Sequence, residues 1–171
     1  MIEIIRSRRS VREFLPNPVE TEKIELLQEA ALRAPTSRNR LSCYYYFITN
    51  RAILESLAIA KPQGGIFLKE APLAVVVTGD EKATDVWVED CSIGCSFLQL
   101  MAASLGLGSC WVQIRNRWHN DHITAEGYIQ DLLQLPGNLR VEALIAIGYP
   151  AIKPAPVPAR DLALDHINFI H

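Results

Sequence analysis

Arg6-Ser7-Arg8-Arg9-Ser10-Val11-Arg12-Glu13-Phe14 places four arginines within seven residues, with a hydroxyl among them and an aromatic at the end. A guanidinium is a planar fork of fixed positive charge whose donors match phosphate oxygens, so a cluster this dense reads as an anion site. A solvated charged face is the plain alternative. Such a face has no need of a central serine or a closing phenylalanine. In an extended segment, residues two apart project to the same side, so Arg8, Ser10 and Arg12 would converge on one ligand.

The rest of the chain makes this run an exception. At 171 residues, residues 1–171 fit a single domain able to bury its own core. The formal net charge of −2 argues against a general nucleic-acid binder, which carries a broad basic surface. Hydrophobic residues make up 49% of the chain, which suggests apolar surface buried against a partner subunit. The longest apolar runs, at residues 71–77 and 143–147, are far shorter than the roughly 20 residues of a membrane span. The start, Met1-Ile2-Glu3-Ile4-Ile5, is too short and too acidic for a signal peptide, so the cytoplasm is the expected compartment. Cys43, Cys91, Cys95 and Cys110 have no Cys-x-x-Cys spacing and read as free, buried thiols, without a metal.

Downstream of the arginines, Pro16-Asn17-Pro18 breaks regular structure, and residues 20–34 repeat apolar positions at helical spacing until Pro35. Ala34-Pro35-Thr36-Ser37-Arg38-Asn39-Arg40 is a polar loop before a strand at residues 43–48. Its side chains could satisfy the turn's own backbone, or recognise a planar heterocycle. Residues 52–60 read as a helix and residues 73–78 as a strand buried on both faces. Residues 83–105 form a long helix, apolar most of the way round, buried centrally or between subunits, with Gly94 and Ser96 allowing close backbone approach. A strand at 109–114, a polar loop at 115–122 with two surface histidines, a helix at 123–134 and a strand at 140–149 follow. Prolines make residues 151–158 a stiff arm that delivers Arg160, and residues 162–170 are a final strand or a wrapping tail.

With these parts in order, the sequence resembles the FMN-dependent nitroreductase family. The resemblance rests on Arg8-Arg9-Ser10-Val11-Arg12-Glu13-Phe14, Ala34-Pro35-Thr36-Ser37-Arg38-Asn39, Glu70-Ala71-Pro72, Leu105-Gly106-Leu107-Gly108-Ser109-Cys110-Trp111 and Gly148-Tyr149-Pro150 with Arg160 beyond. It implies an α+β fold with a mixed, mainly antiparallel sheet surrounded by helices, in a homodimer with two FMN sites at its interface. Residues matching Arg8, Ser10 and Arg12 then hold the phosphate, ribityl chain and pyrimidine edge, with Arg9 contributing. Those matching Pro35, Thr36, Ser37 and Asn39 approach the ring from the partner. Gln113 and Ile114 fall near the flavin N5 edge, and Arg160 matches a phosphate-binding arginine.

The activity so implied is ping-pong transfer of hydride from NAD(P)H through the flavin to a nitroaromatic, a quinone or a related small-molecule acceptor. Reductive dehalogenation on the same fold, a non-catalytic FMN-binding module, and an RNA-binding domain built on the arginines are the alternatives. Two departures stand out. Leu41-Ser42-Cys43 replaces a Gln-Pro-Trp-like continuation of the polar loop, and Pro158 stands where a basic residue is frequent.

Overall fold

The structure, a computed structural model, describes residues 1–170. Four strands form one antiparallel sheet: β1 (Cys43–Ile48), β2 (Leu73–Asp80), β3 (Gly108–Gln113) and β4 (Leu139–Gly148), in the order β1-β2-β4-β3. The only parallel pairing among the described residues is an isolated bridge between Ser10 and Ser109. Five helices cover the sheet: α1 (Ile2–Ser7), α2 (Thr21–Leu32), α3 (Arg51–Ala58), α4 (Trp87–Ser104) and α5 (Ala125–Leu133).

Alternation along the central strands sends side chains to two cores. Leu73, Val75, Val77, Ala143, Ile145 and Ile147 pack with α2 and α4 on one face. Ala74, Val76, Leu144 and Ala146 pack with α3 and α5 on the other. The expectation of a strand buried on both faces is met at Leu73–Gly79.

Local chemistry moved several boundaries. The long helix begins at Trp87, four residues later than the sequence suggests. The Asp80 carboxylate accepts from the Lys82 N–H and the Thr84 hydroxyl from the Val86 N–H, so side chains claim the backbone donors a helix would use. Thr124 caps α5 by accepting from the Gly127 N–H. The tail at residues 162–170 forms a short 3-10 turn and no strand within the chain. Of the two loop histidines His122 is exposed, while His119 is half-buried and stacks on Tyr128 at 4.2 Å, with Nδ1 3.1 Å from the Ile59 carbonyl. Gly94 faces Tyr45 of the same chain, since a Cβ there would lie 2.1 Å from the tyrosine oxygen.

The motif Gly148-Tyr149-Pro150 acquires a structural reason. Tyr149 donates to Glu20 at 2.7 Å and accepts from Lys23, tying the start of α2 to the end of β4. Gly148 leaves room for Pro72 and Phe14; a Cβ would lie 2.5 Å from Pro72 Cδ and 3.0 Å from Phe14 Cδ1. Gly148→Ala is therefore expected to destabilise the fold by about 1–3 kcal/mol, the usual cost of overpacking, as read by urea denaturation.

Glu142 is buried, and its Oε2 has no hydrogen-bond partner among the described residues. Burial pushes its carboxyl up from the ordinary range, against the pull of Arg115 and with the push of Glu89 and Glu126. A carboxyl raised in the folded state contributes stability below its unfolded pKa and loses it as pH rises through the folded pKa. Glu142→Gln is thus expected to raise the melting temperature by about 2–4 °C at pH 8, for an orphan acceptor worth about 1 kcal/mol, and by less at pH 4.

Candidate functional site

The arginine segment is held along the free edge of β3. The Val11 N–H donates to the Ser109 carbonyl at 2.9 Å, and Val11 and Phe14 are buried as anchors. Gly108 makes room for Val11, since a Cβ there would meet its side chain at 2.7 Å. With Val11 turned inward, Ser10 and Arg12 are left exposed and Arg8 half-buried beside them, as the alternation predicts.

These groups surround Cys110. Burial raises its thiol pKa, while the Arg12 charge, a hydrogen bond with Ser10, and the Lys61 and Arg8 charges pull it back. The guanidinium of Arg12 also lies 6.0 Å from the centre of the Phe67 ring. Arg8 and Arg12 have no acidic ion-pair partner among the described residues, so their donors remain available to an anion. Lys61, 49 residues away in sequence from Arg12, is a cation of this cluster that sequence reading missed.

Two clefts meet at Arg8. One, of about 490 Å³, is lined by Ile5, Arg8, Ser10, Ser96, Gln99 and Leu100. The other, of about 340 Å³, runs between Arg8, Gly106–Ser109 and the proline arm, where Lys153 adds a second unpredicted cation. Arg9 donates to the Ala155 carbonyl and so fixes the arm instead of facing a ligand with its whole fork. FMN carries a phosphate dianion and a polar, hydrogen-bonding ring, and the available donors of Arg8, Ser10, Arg12 and Lys61 suit both.

The polar loop is a built element. Asp90 on α4 accepts from the Ser37 N–H at 2.9 Å and from the Ser42 hydroxyl at 2.8 Å, and Thr36 Oγ1 accepts from the Leu41 N–H at 3.2 Å. Arg38, Asn39 and Leu41 all have positive φ, a conformation that such bonds must hold in place. Pro35 and Asn39 are exposed.

The loop and the arginine segment lie at diagonally opposite corners of the sheet. The loop leads into Cys43, which pairs with Gly79 and through it with Arg140, whereas Ser10 bridges to Ser109, which pairs with Ile147. Seven residues along β4 and three strand spacings separate the corners, roughly 25–30 Å. Along α4, the loop's anchor Asp90 and the cleft residue Ala103 are about 20 Å apart. One chain therefore does not bring the two predicted groups together.

The remaining predicted residues fall in three places. Gln113 is half-buried, accepting from Trp111 Nε1 at 2.9 Å and donating to the Arg115 carbonyl at 3.0 Å. Ile114, expected near the flavin N5 edge, directly follows β3. Its side chain is fully buried in the core with Cys110's face of the sheet, its N–H points to the Glu142 carbonyl, and its carbonyl accepts from the Arg117 N–H. Arg160 lies on the exposed tail, its Nε 3.7 Å from the Asp161 carboxylate, and lines neither cleft beside Arg8.

Comparison with known proteins agrees with this architecture. The model of the nitroreductase family matches residues 5–149. A relative from Methanothermobacter thermautotrophicus, provisionally named NADH dehydrogenase/NAD(P)H nitroreductase, is 33% identical over 165 residues, covering 95% of this chain and 82% of the relative. Among solved structures, an FMN-dependent nitroreductase from Clostridium difficile R20291 is 39% identical with a TM-score of 0.97, covering 100% of this chain and 99% of that one. A nitroreductase family protein from Clostridium difficile 630 is 25% identical with a TM-score of 0.82, covering 99% and 97%. The chain belongs to the nitroreductase family.

Proposed function

We propose that two copies of this chain form a homodimer that binds FMN at each of two interfacial sites and acts in the cytoplasm as an NAD(P)H oxidoreductase. The observation that carries this reading is the separation of the two candidate groups together with the symmetry of α4. Asp90, which anchors the loop, and Ala103, beside Arg8, lie equally far on either side of the Ser96–Phe97 midpoint. A two-fold axis passing there sets the partner's loop beside this chain's arginines, and the partner's arginines beside this chain's loop. Ile93 and Phe97, one turn apart on α4, and Ile2 and Ile5 on α1 are exposed apolar side chains on elements in contact, next to the cleft lined by Arg8 and Ser10.

In this assembly Arg8 and Ser10 hold the phosphate and ribityl chain, and Arg12 and Lys61 place positive charge at the pyrimidine edge. Pro35, Thr36, Ser37 and Asn39 of the second copy close over the ring. Gln113, clamped at both ends of its amide, gives a rigid wall, and Arg160 reaches the phosphate when the exposed tail is drawn into the assembly. FMN bound there supplies ping-pong hydride transfer from NAD(P)H to a nitroaromatic, a quinone or a similar small acceptor. The test is to add NAD(P)H anaerobically to the purified, FMN-loaded protein and then add a quinone or nitroaromatic. Bleaching followed by recovery of colour supports the proposal; a flavin that NAD(P)H leaves oxidised overturns it.

A further inference from the structure

The cysteines near the polar loop are arranged for chemistry that the flavin site does not use. Cys43 opens β1 directly across from Gly79 on β2. Because Gly79 has no side chain, Trp87 and Cys91 of α4 settle against the strand backbone; a Cβ on Gly79 would lie 2.7 Å from Trp87 Cε3 and 3.0 Å from Cys91 Sγ. The same vacancy brings Cys91 Sγ to 3.5 Å from Cys43 Sγ.

The two thiols are unequal. Cys43 is half-exposed and lines a surface pocket of about 290 Å³ with Gln28, Leu32, Tyr44, Tyr45 and Phe47, while Cys91 is fully buried. The Cys91 thiol donates to Cys43 Sγ, and Ser42 Oγ lies 3.9 Å from it. Hydrogen bonding from Cys91 lowers the Cys43 pKa, helped by Ser42 and Tyr45 and opposed by burial and the nearby Asp90 charge. Cys91 is pushed up, first by its hydrogen bond to Cys43 and then by burial. The thiolate thus forms at the sulfur a small solute can reach, with a thiol already in contact behind it.

We propose that Cys43 and Cys91 are a peroxide-sensitive pair that closes reversibly to an intramolecular disulfide, with Cys43 as the attacking sulfur and Cys91 as the resolving one. The Cys43 thiolate attacks one oxygen of hydrogen peroxide, the O–O bond breaks, and the sulfur keeps that OH as a sulfenic acid, while the departing hydroxide takes up the proton the thiol had released and becomes water. Cys91 sulfur then attacks Cys43 sulfur, and the S–OH bond breaks with release of water that carries away the Cys91 proton. In sum, two thiols are oxidised and one peroxide is reduced to two waters. A disulfide needs its sulfurs about 2.05 Å apart, so the pair must close by about 1.5 Å. The bond would join the start of β1 to the first turns of α4, the two elements that Asp90 already links through Ser37 and Ser42. This inference stands apart from the flavin reading.

Brief exposure of the intact protein to hydrogen peroxide, an acid quench, and alkylation under denaturing conditions test it. The expected result is two alkylated cysteines instead of four, an intact mass before alkylation lower by about 2 Da, a cross-linked pair of peptides holding Cys43 and Cys91, and full reversal by dithiothreitol. Cys95→Ser and Cys110→Ser should leave this bond forming. Cys91→Ser should instead leave Cys43 as a sulfenic acid that dimedone labels. Four alkylated thiols after treatment, or a bond that involves Cys95 or Cys110, would overturn it.

Discussion

Arg8→Ala is expected to weaken FMN binding by on the order of 10- to 100-fold, as the loss of a charge-assisted hydrogen bond worth about 1.5–3 kcal/mol would. Arg8 is half-buried between two clefts and has no acidic partner to compete for its fork. Arg8→Lys should recover only part of the loss, because an ammonium keeps the charge but not the bidentate geometry. Arg12→Ala should behave differently. Arg12 sits above Phe67 and beside Cys110 and Lys61, where a flavin's pyrimidine edge would feel its charge. Positive charge there favours the anionic reduced ring, so removing it makes bound FMN harder to reduce and lowers its midpoint potential. Flavin fluorescence titration separates the first effect from the second, which potentiometry reads. Unchanged affinity in Arg8→Ala, or an unchanged potential in Arg12→Ala with flavin bound, would contradict these roles.

The second large effect belongs to α4. Phe97→Asp places a charge on the proposed two-fold axis, and isologous symmetry counts the change twice. Burying a phenylalanine contributes about 1.5–3 kcal/mol, so two copies shift the dimer dissociation constant by roughly 10² to 10⁴. Phe97 belongs to neither core, so the variant should keep its far-UV circular dichroism and melt as a folded monomer. It should also fail to retain FMN, because the arginines would then lack the partner's loop. Sedimentation and flavin content measured on one preparation check both parts. A dimer with bound flavin, or a monomer binding FMN as tightly as the native protein, would count against the symmetric site.

The legibility of these features in the sequence followed the range of the forces involved. The run Leu73–Val77 identifies itself, since five apolar residues in succession suit a strand with helices on both sides. The exposure of Ser10 and Arg12 on either side of buried Val11 was legible too, because period-two geometry is local, although the anchoring by Gly108 and Ser109 is not. The burial of Ile114 likewise follows from period-two placement. This residue continues the Cys110 and Val112 side of the sheet, which is core. Lys61, Lys153 and Asp90 carried no local signal, as each reaches its partners only after distant elements pack. Asp90 is 53 residues from Ser37, and an acid beside Glu89 in a helix's first turn reads as a response to the helix dipole.

The most direct measurement is sedimentation of the FMN-loaded protein followed at flavin's visible absorbance. The coloured boundary is predicted to travel at twice the 19.1 kDa chain mass and to carry one flavin per chain. A colourless protein that takes up no added FMN, or flavin travelling with a species of 19.1 kDa, would contradict a site shared between two copies.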